Sequence, residues 1–263
     1  MTEMTSYPWG QFSWADLMTS DVDGAKRFYS GLFGWDVRDT PLPGGGSYTQ
    51  FYLRGRTICG VGEMNAEMKQ HGTPPTWAIY ANVEDCERIC TRAVEARGKV
   101  VMPPMDVMEE GRLCMIADPT GAVTGCWQPK KHKGAGLYNE HGALCWFELL
   151  TRDLAAAKRF FSSVFGWEYK DGGDGTHPYS EIRVGSSRHF AGMMPMPPGM
   201  DGVPSNWLPY FDVPNIQSAA KKVRELGGKV VREPALIPDV GSFAVVADPQ
   251  GAVFEVLEYH GKR

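Results

Sequence analysis

No stretch of this chain approaches the roughly 18 apolar residues that a membrane-spanning helix needs. Its amino-terminal MTEMTSYPWGQFSW also lacks the basic run and apolar core of a secretory signal. The expectation is a soluble, cytoplasmic protein with no membrane partner. An excess of basic charge is lacking too: 27 Lys and Arg stand against 31 Asp and Glu, for a formal net charge of −4. No basic face is available to neutralise a phosphate backbone, so nucleic acid is not an expected partner. Cysteine is sparse and unevenly placed, with Cys59, Cys86, Cys90, Cys114 and Cys126 in the first half and only Cys145 in the second, which argues against a disulfide framework. Cys86 and Cys90 sit four apart on a predicted helix. Buried thiols are the plain reading there and a metal pair the sharp one, and no CxxC or neighbouring His supports the latter.

What the chain does have is an internal repeat. Its 263 residues, 43% of them hydrophobic, can bury one large core or two ordinary ones, and the chain matches itself at an offset of 132 residues near its start and 130 further on. FSWADLMTSDVDGAKRFYSGLFGWDVRD (Phe12 to Asp39) aligns with LCWFELLTRDLAAAKRFFSSVFGWEYKD (Leu144 to Asp171); later WAIYANVED aligns with WLPYFDVPN, RGKVVMPP with GGKVVREP, and ADPTGAV with ADPQGAV. The division expected is a first domain over 1–127, a linker over 128–143 and a second domain over 144–263.

Each half divides again. Trp14 to Leu17 reads as a strand, Asp21 as an N-cap, and Val22 to Leu32 as a helix stopped at Gly34. Trp35 to Arg38, Tyr48 to Leu53 and Thr57 to Gly62 have strand character, with turns at Pro43 to Gly46 and Arg54-Gly55. The same βαβββ order recurs from Trp77: a strand to Val83, a helix from about Glu84 to Arg97, then Val100 to Met102, Leu113 to Ala117 and Ala122 to Trp127. Asp118-Pro119-Thr120-Gly121 suits the type I turn joining the last two.

Four βαβββ units with FYSGLFGW and DPTG/DPQG punctuation resemble the vicinal-oxygen-chelate (glyoxalase/bleomycin-resistance/dioxygenase-like) superfamily over nearly the whole chain. The resemblance implies an α+β protein of two tandem domains, each of two βαβββ units forming a curled mixed sheet with helices on its convex side and a ligand cleft on the concave side. It further implies a divalent metal held by His, Gln or Glu at set strand positions. Those positions fall here on Trp14, Ala78 and Gly125, and on Trp146, Leu208 and Glu255, of which Glu255 alone can bind a metal. One carboxylate does not hold a divalent ion, so both clefts are expected to lack metal and cofactor. The histidines His71, His132, His141, His177 and His260 fall in loops or near the carboxy terminus, and His189 on a predicted strand.

Strand alternation puts Trp14 and Asp16 on one face, with Ala15 and Leu17 on the other; Trp146 and Glu148 behave likewise. Tyr80 and Asn82 share the face of Ala78, Tyr210 and Asp212 that of Leu208, and Trp127 that of Gly125. The expected ligand-binding residues are therefore Trp14, Asp16, Tyr80 and Trp127 in the first cleft and Trp146, Glu148, Tyr210 and Glu255 in the second. Asp16, Glu148 and Glu255 are candidate acids or bases, since a carboxylate beside indole loses hydration and its pKa rises. Against this stands a structural role for the acids and a core-filling role for the tryptophans. The second cleft is preferred because it keeps two acids. Three functions fit: sequestration of a small aromatic or hydrophobic molecule, as in the bleomycin-resistance branch; a metal-independent enzyme of acid/base, cyclisation or hydroxylase-associated chemistry; or a regulatory or interaction protein. The ligand positions oppose a metal-dependent glyoxalase or an extradiol dioxygenase. The assembly expected is a monomer with an internal pseudo-dimer, or a homodimer.

Overall fold

A computed structural model describes residues 3–43, 45–173 and 178–261; Gly44 of the first turn and His177 lie outside them. The first half runs β1 (Phe12–Thr19), α1 (Val22–Phe33), β2 (Asp36–Pro41), β3 (Ser47–Leu53), β4 (Arg56–Glu63), α2 (Ala66–Gln70), β5 (Thr76–Asn82), α3 (Cys86–Glu95), β6 (Lys99–Val107), β7 (Gly111–Ala117) and β8 (Val123–Pro129). The second repeats it as β9 (Leu144–Thr151), α4 (Leu154–Phe165), β10 (Glu168–Gly173), β11 (Pro178–Arg183), β12 (Ala191–Pro195), β13 (Asn206–Asp212), α5 (Ile216–Glu225), β14 (Lys229–Ile237), β15 (Gly241–Ala247) and β16 (Val253–Tyr259). Each half forms its own eight-stranded mixed sheet, ordered β2-β3-β4-β1-β5-β8-β7-β6 and β10-β11-β12-β9-β13-β16-β15-β14. The two βαβββ units of a half meet where β1 pairs antiparallel with β5, and β9 with β13. No helix among the described residues is long and apolar enough to cross a membrane.

Local chemistry explains the repeated elements. Asp21 and Asp153 cap α1 and α4, accepting from the backbone N–H of Gly24 (2.8 Å) and Ala156 (2.9 Å). Both helices stop at a left-handed glycine, Gly34 at φ 73° and Gly166 at φ 69°. Asp118 and Asp248 hold the DPxG turns by accepting from the N–H groups of Ala122 and Ala252.

The halves share one core. Trp35 Nε1 donates to the Gly142 carbonyl at 2.7 Å, and Trp167 Nε1 to the Gly10 carbonyl at 2.7 Å. Each half thus completes the other's tryptophan, as a pseudo-two-fold requires. Phe28 of α1 lies over Gly228 and Phe160 of α4 over Gly98, where any Cβ would fall within 2.7 Å and 2.3 Å of the rings. Phe12 meets Phe147, Trp167, Phe190 and Trp207 edge-on across the seam.

Three expectations are corrected and one element is added. The helix expected over Glu84 to Arg97 is shorter, because Asp85 caps it by accepting from Arg88 N and non-helical residues enter and leave. The strand expected at Val100 to Met102 extends through Pro103-Pro104 to Val107, which an edge strand tolerates because its outer N–H groups need no partner. The one-turn helix α2 has too few apolar residues to show periodicity. His189 lies in the loop entering β12, not on a strand, and its Nδ1 is 2.8 Å from the Glu181 carboxylate.

Candidate functional site

Strand register assembles the face opposite the helices. Trp14 lies opposite Tyr80 and Asp16 opposite Ala78, while Tyr80 pairs in parallel with Gly125. In the second half Trp146 lies opposite Tyr210, Glu148 opposite Leu208, and Tyr210 beside Glu255. Paired residues share a sheet face, so all the expected residues of each cleft are brought to one face. Ala15, Leu17, Phe147 and Leu149 point the other way, into the core. A register shift precedes each tryptophan, at Ser13 and Cys145, the kind of bulge that re-aims side chains. Asn82 and Asp212, expected on the same faces, have partners away from the acids: Asn82 donates to the Tyr7 carbonyl at 2.7 Å, and the Asp212 carboxylate is 3.2 Å from His141 Nδ1.

In the first cleft Asp16 is enclosed by donors. Trp14 Nε1 donates to it at 2.8 Å, Tyr48 OH at 2.5 Å, and Tyr80 hydrogen-bonds it as well. Burial pushes its carboxyl up to about 6 in spite of those bonds. Tyr48 reaches Asp16 across β4, and it can do so only because Gly60 stands between; a Cβ there would lie 1.9 Å from the Tyr48 hydroxyl oxygen. The Tyr80 ring lies against Gly125 in the same manner, 2.4 Å from where a Cβ would be. His132, beyond β8, closes the arrangement. Its ring meets Trp14 edge-on at 4.3 Å, its carbonyl accepts from Trp127 Nε1 at 2.9 Å, and burial pulls the imidazole down to about 4. Trp14 and Trp127 are 3% and 6% exposed as a result.

The second cleft follows the same plan with fewer donors and more acid. Trp146 Nε1 donates to Tyr179 OH at 3.0 Å, and Tyr179 OH to Glu148 at 2.9 Å. Gly192 takes the place of Gly60, clearing the path of Tyr179. Glu255 fills the position of Gly125. Tyr210 hydrogen-bonds it, yet its Oε2 is buried with no partner. Glu148 and Glu255 are each 4% exposed. Burial raises Glu148 to about 7; burial first, and then the charge of Glu148, raise Glu255 to about 8. At the rim the Arg232 guanidinium stacks on Phe243 at 4.9 Å.

Tyr48, Tyr179 and His132 are the site residues that sequence reasoning missed. A Tyr repeated at an offset of 131, facing a Gly repeated at 132, was the signal available for the first two. His132 sits in the expected linker and carries no repeat signal.

A divalent metal does not fit either donor set. The family's ligand positions hold an indole, a methyl and a glycine in one half, and an indole, an isobutyl group and a single carboxylate in the other. Among the described residues no group of three or more His, Cys, Asp or Glu is placed to hold an ion. Two crevices of about 390 and 420 Å³ lie away from the clefts, at the seams between the halves. They are related by the pseudo-two-fold and carry no comparable convergence of buried polar groups.

Similarity to known proteins follows this architecture. The chain is 40% identical over 98% of both chains to "Putative glyoxylase CFP32" of Mycobacterium tuberculosis. It is 33% identical to the "Anthracycline biosynthesis protein DnrV" of Streptomyces peucetius, over 97% of this chain and 95% of that one. The Mn(II)-bound glyoxalase of Novosphingobium aromaticivorans shares the fold at a TM-score of 0.65 and 16% identity, over 96% of this chain and 84% of that one. A 2,2',3-trihydroxybiphenyl 1,2-dioxygenase of Sphingomonas wittichii does so at 0.65 and 15%, over 97% and 93%. The family model for the glyoxalase fold matches residues 11–124 and again 143–256. With both copies matched, the chain belongs to the Glyoxalase/Bleomycin resistance protein/Dioxygenase superfamily.

Proposed function

We propose that the second cleft binds a small aromatic or hydrophobic organic molecule without a bridging metal, and that the protein sequesters it. The observation that carries this reading is Glu255 Oε2, a carboxylate oxygen buried without a partner on the same face as Trp146, Glu148 and Tyr210. A buried polar oxygen left unpaired costs about 1–3 kcal/mol; with its carboxyl raised to about 8 Glu255 keeps its proton near neutral pH, and a ligand polar group that pairs with the acid removes that cost. Aromatic walls with a few convergent polar groups suit such a ligand. The relative named for anthracycline biosynthesis accords with it, anthracyclines being planar polycyclic aromatics.

A second reading, metal-independent acid/base catalysis, is favoured by the values of about 7 and 8 for Glu148 and Glu255. Near neutral pH such a pair holds a proton to give and an oxygen to receive one. One experiment serves both readings: a thermal-shift screen of small aromatic compounds, followed by calorimetry on wild type, Glu255→Gln, Glu148→Gln and Asp16→Asn. Binding weakened by the two Glu changes and untouched by Asp16→Asn supports the second cleft; equal affinity in all four proteins overturns it. Turnover of a bound compound, with a pH profile altered in both Glu variants, would favour catalysis over sequestration. Elemental analysis is expected to show no stoichiometric Zn, Ni, Fe or Mn, and one such metal per chain would sink the metal-free reading.

A further inference from the structure

Strand register in each half lays five residues in one row across the sheet face opposite the helices. In the second half the row runs Arg232 of β14, Val245 of β15, Glu255 of β16, Tyr210 of β13 and Trp146 of β9. In the first half it runs Met102, Met115, Gly125, Tyr80 and Trp14. The aromatic end of the row is kept, while at the other end a cation and an acid enter together, with one strand between them. Neighbouring strands lie ~4.8 Å apart, so the backbones of Arg232 and Glu255 are about 10 Å apart.

The two side chains do not satisfy each other. Among the described residues Arg232 has no carboxylate within ion-pair distance, and its guanidinium carbon lies 4.9 Å from the centre of the Phe243 ring. Phe243 stands two residues before Val245 on the same face of β15. It packs with Trp146, Tyr210 and Leu257 in an apolar cluster separate from the shared core, so Arg232 lies along the wall of the second cleft. Contact with a ring face uses none of the guanidinium's five N–H donors. Arg232 is exposed, which leaves those donors at the mouth. Below it Glu255 Oε2 is buried with no partner.

We propose that the ligand of the second cleft is an aromatic organic acid, with its anionic group on Arg232, its ring over Val245 against Phe243, and an oxygen substituent at its other end on Glu255. This rests on the reading of the cleft as a small-molecule site. The planar fork of an arginine matches a carboxylate as it matches no neutral group. Burial lifts Glu148 and Glu255 to about 7 and 8, so the pair does not set two negative charges against an entering anion near neutral pH. A protonated carboxyl both donates and accepts, and Glu255 can therefore pair with a hydroxyl or a carbonyl oxygen. With Met102 and Gly125 in those places, the first cleft can hold neither end of such a molecule.

The test is calorimetry near neutral pH with a matched pair of probes, para-hydroxycinnamate and its neutral amide, on wild type, Arg232→Met, Arg232→Lys and Glu255→Gln. Arg232→Met installs the residue of the first half at that place and should fold. Wild type is expected to prefer the acid by about 10–100-fold, the range of a hydrogen bond between charged groups. Arg232→Met should abolish that preference and leave the affinity for the amide unchanged. Arg232→Lys, which keeps the charge without the fork, should retain part of it. Added salt should weaken binding of the acid alone, and Glu255→Gln should weaken both probes. Equal affinity for acid and amide in wild type, or a preference that survives Arg232→Met, overturns the inference and leaves the cleft a site for neutral aromatics. Binding of both probes that none of the substitutions alters counts against the small-molecule reading of this cleft itself. Failure of both probes to bind wild type overturns the inference, while the broader screen of aromatic compounds still decides that reading.

Discussion

The two clefts are built on one backbone and differ at a few positions, among them Asp16 against Glu148, Trp127 against Leu257, the added His132 and, with the largest consequence, Gly125 against Glu255. Where Gly125 stands, Tyr80 closes over it and turns its hydroxyl to Asp16, which then has three donors. Where Glu255 stands, Tyr210 turns to it instead, and two acids share a site with one oxygen unserved. His132 further covers the first cleft. A duplicated scaffold can thus hold a single acid among three donors in one copy and a pair of acids in the other, and function has to be argued from the cluster rather than the fold.

The comparison can be broken at four points. Trp35→Ala and Trp167→Ala should each destabilise the protein by about 3–5 kcal/mol, and equally, in a single urea transition that takes both halves. Unequal losses, or two transitions, would break the symmetry argued for the seam. Next comes pH. Glu255 keeps its proton up to about 8 when folded, against an ordinary value of 4.5. Below both values it contributes nothing to pH dependence; as pH rises between them the unfolded chain ionises first, so stability falls across that window. Glu255→Gln should therefore stabilise the protein at pH 8, on the order of 3 kcal/mol, and change little at pH 4. Asp16, raised from 3.8 to about 6, should give Asp16→Asn a smaller gain that is complete by about pH 7. Denaturation at pH 4, 6 and 8 compares the clefts directly, and equal gains would erase the distinction.

Smaller effects sharpen it. Gly60→Ala should cost about 2–3 kcal/mol and Gly192→Ala about 1–2, because the new methyl meets both Tyr48 and Asp16 in the first cleft but only Tyr179 in the second. Smaller still, at about 1 kcal/mol, should be Tyr48→Phe, since Asp16 keeps its bonds from Trp14 and Tyr80. Tyr179→Phe should leave stability near neutral pH little changed while raising the titration midpoint of Glu148, read by carboxyl NMR, because the lost bond favours the ionised form.

Much of this was legible in the sequence for a physical reason. Caps, left-handed glycines and turn aspartates are local devices, and a duplication writes each of them twice; Asp21 and Asp153, Gly34 and Gly166, Asp118 and Asp248 all do their work within a few residues. Alternation likewise put Asp16, Glu148 and Glu255 on the sheet face opposite the helices, where the strand register has them. What stayed hidden depends on neighbours distant in sequence. Tyr48 reaches Asp16 over a strand between them, the gap at Gly60 is an absence of side chain, and His132 acts from outside the repeat. The packing of the thiols was hidden too, since Cys86 of α3 meets β7 and β8, which carry Cys114 and Cys126, only in the fold.

The crossed tryptophan bonds at the seam bear on how such a chain can change. Trp35 finds its acceptor at Gly142 and Trp167 at Gly10, so a half cut from the chain would lay an indole and the aromatic surface around it open to water. The shared core ties the stability of each copy to the presence of the other. Selection on the shared core then retains the first half even where its cleft binds nothing, and its chemistry is free to drift toward other uses, held in place by a neighbour that needs it as a wall.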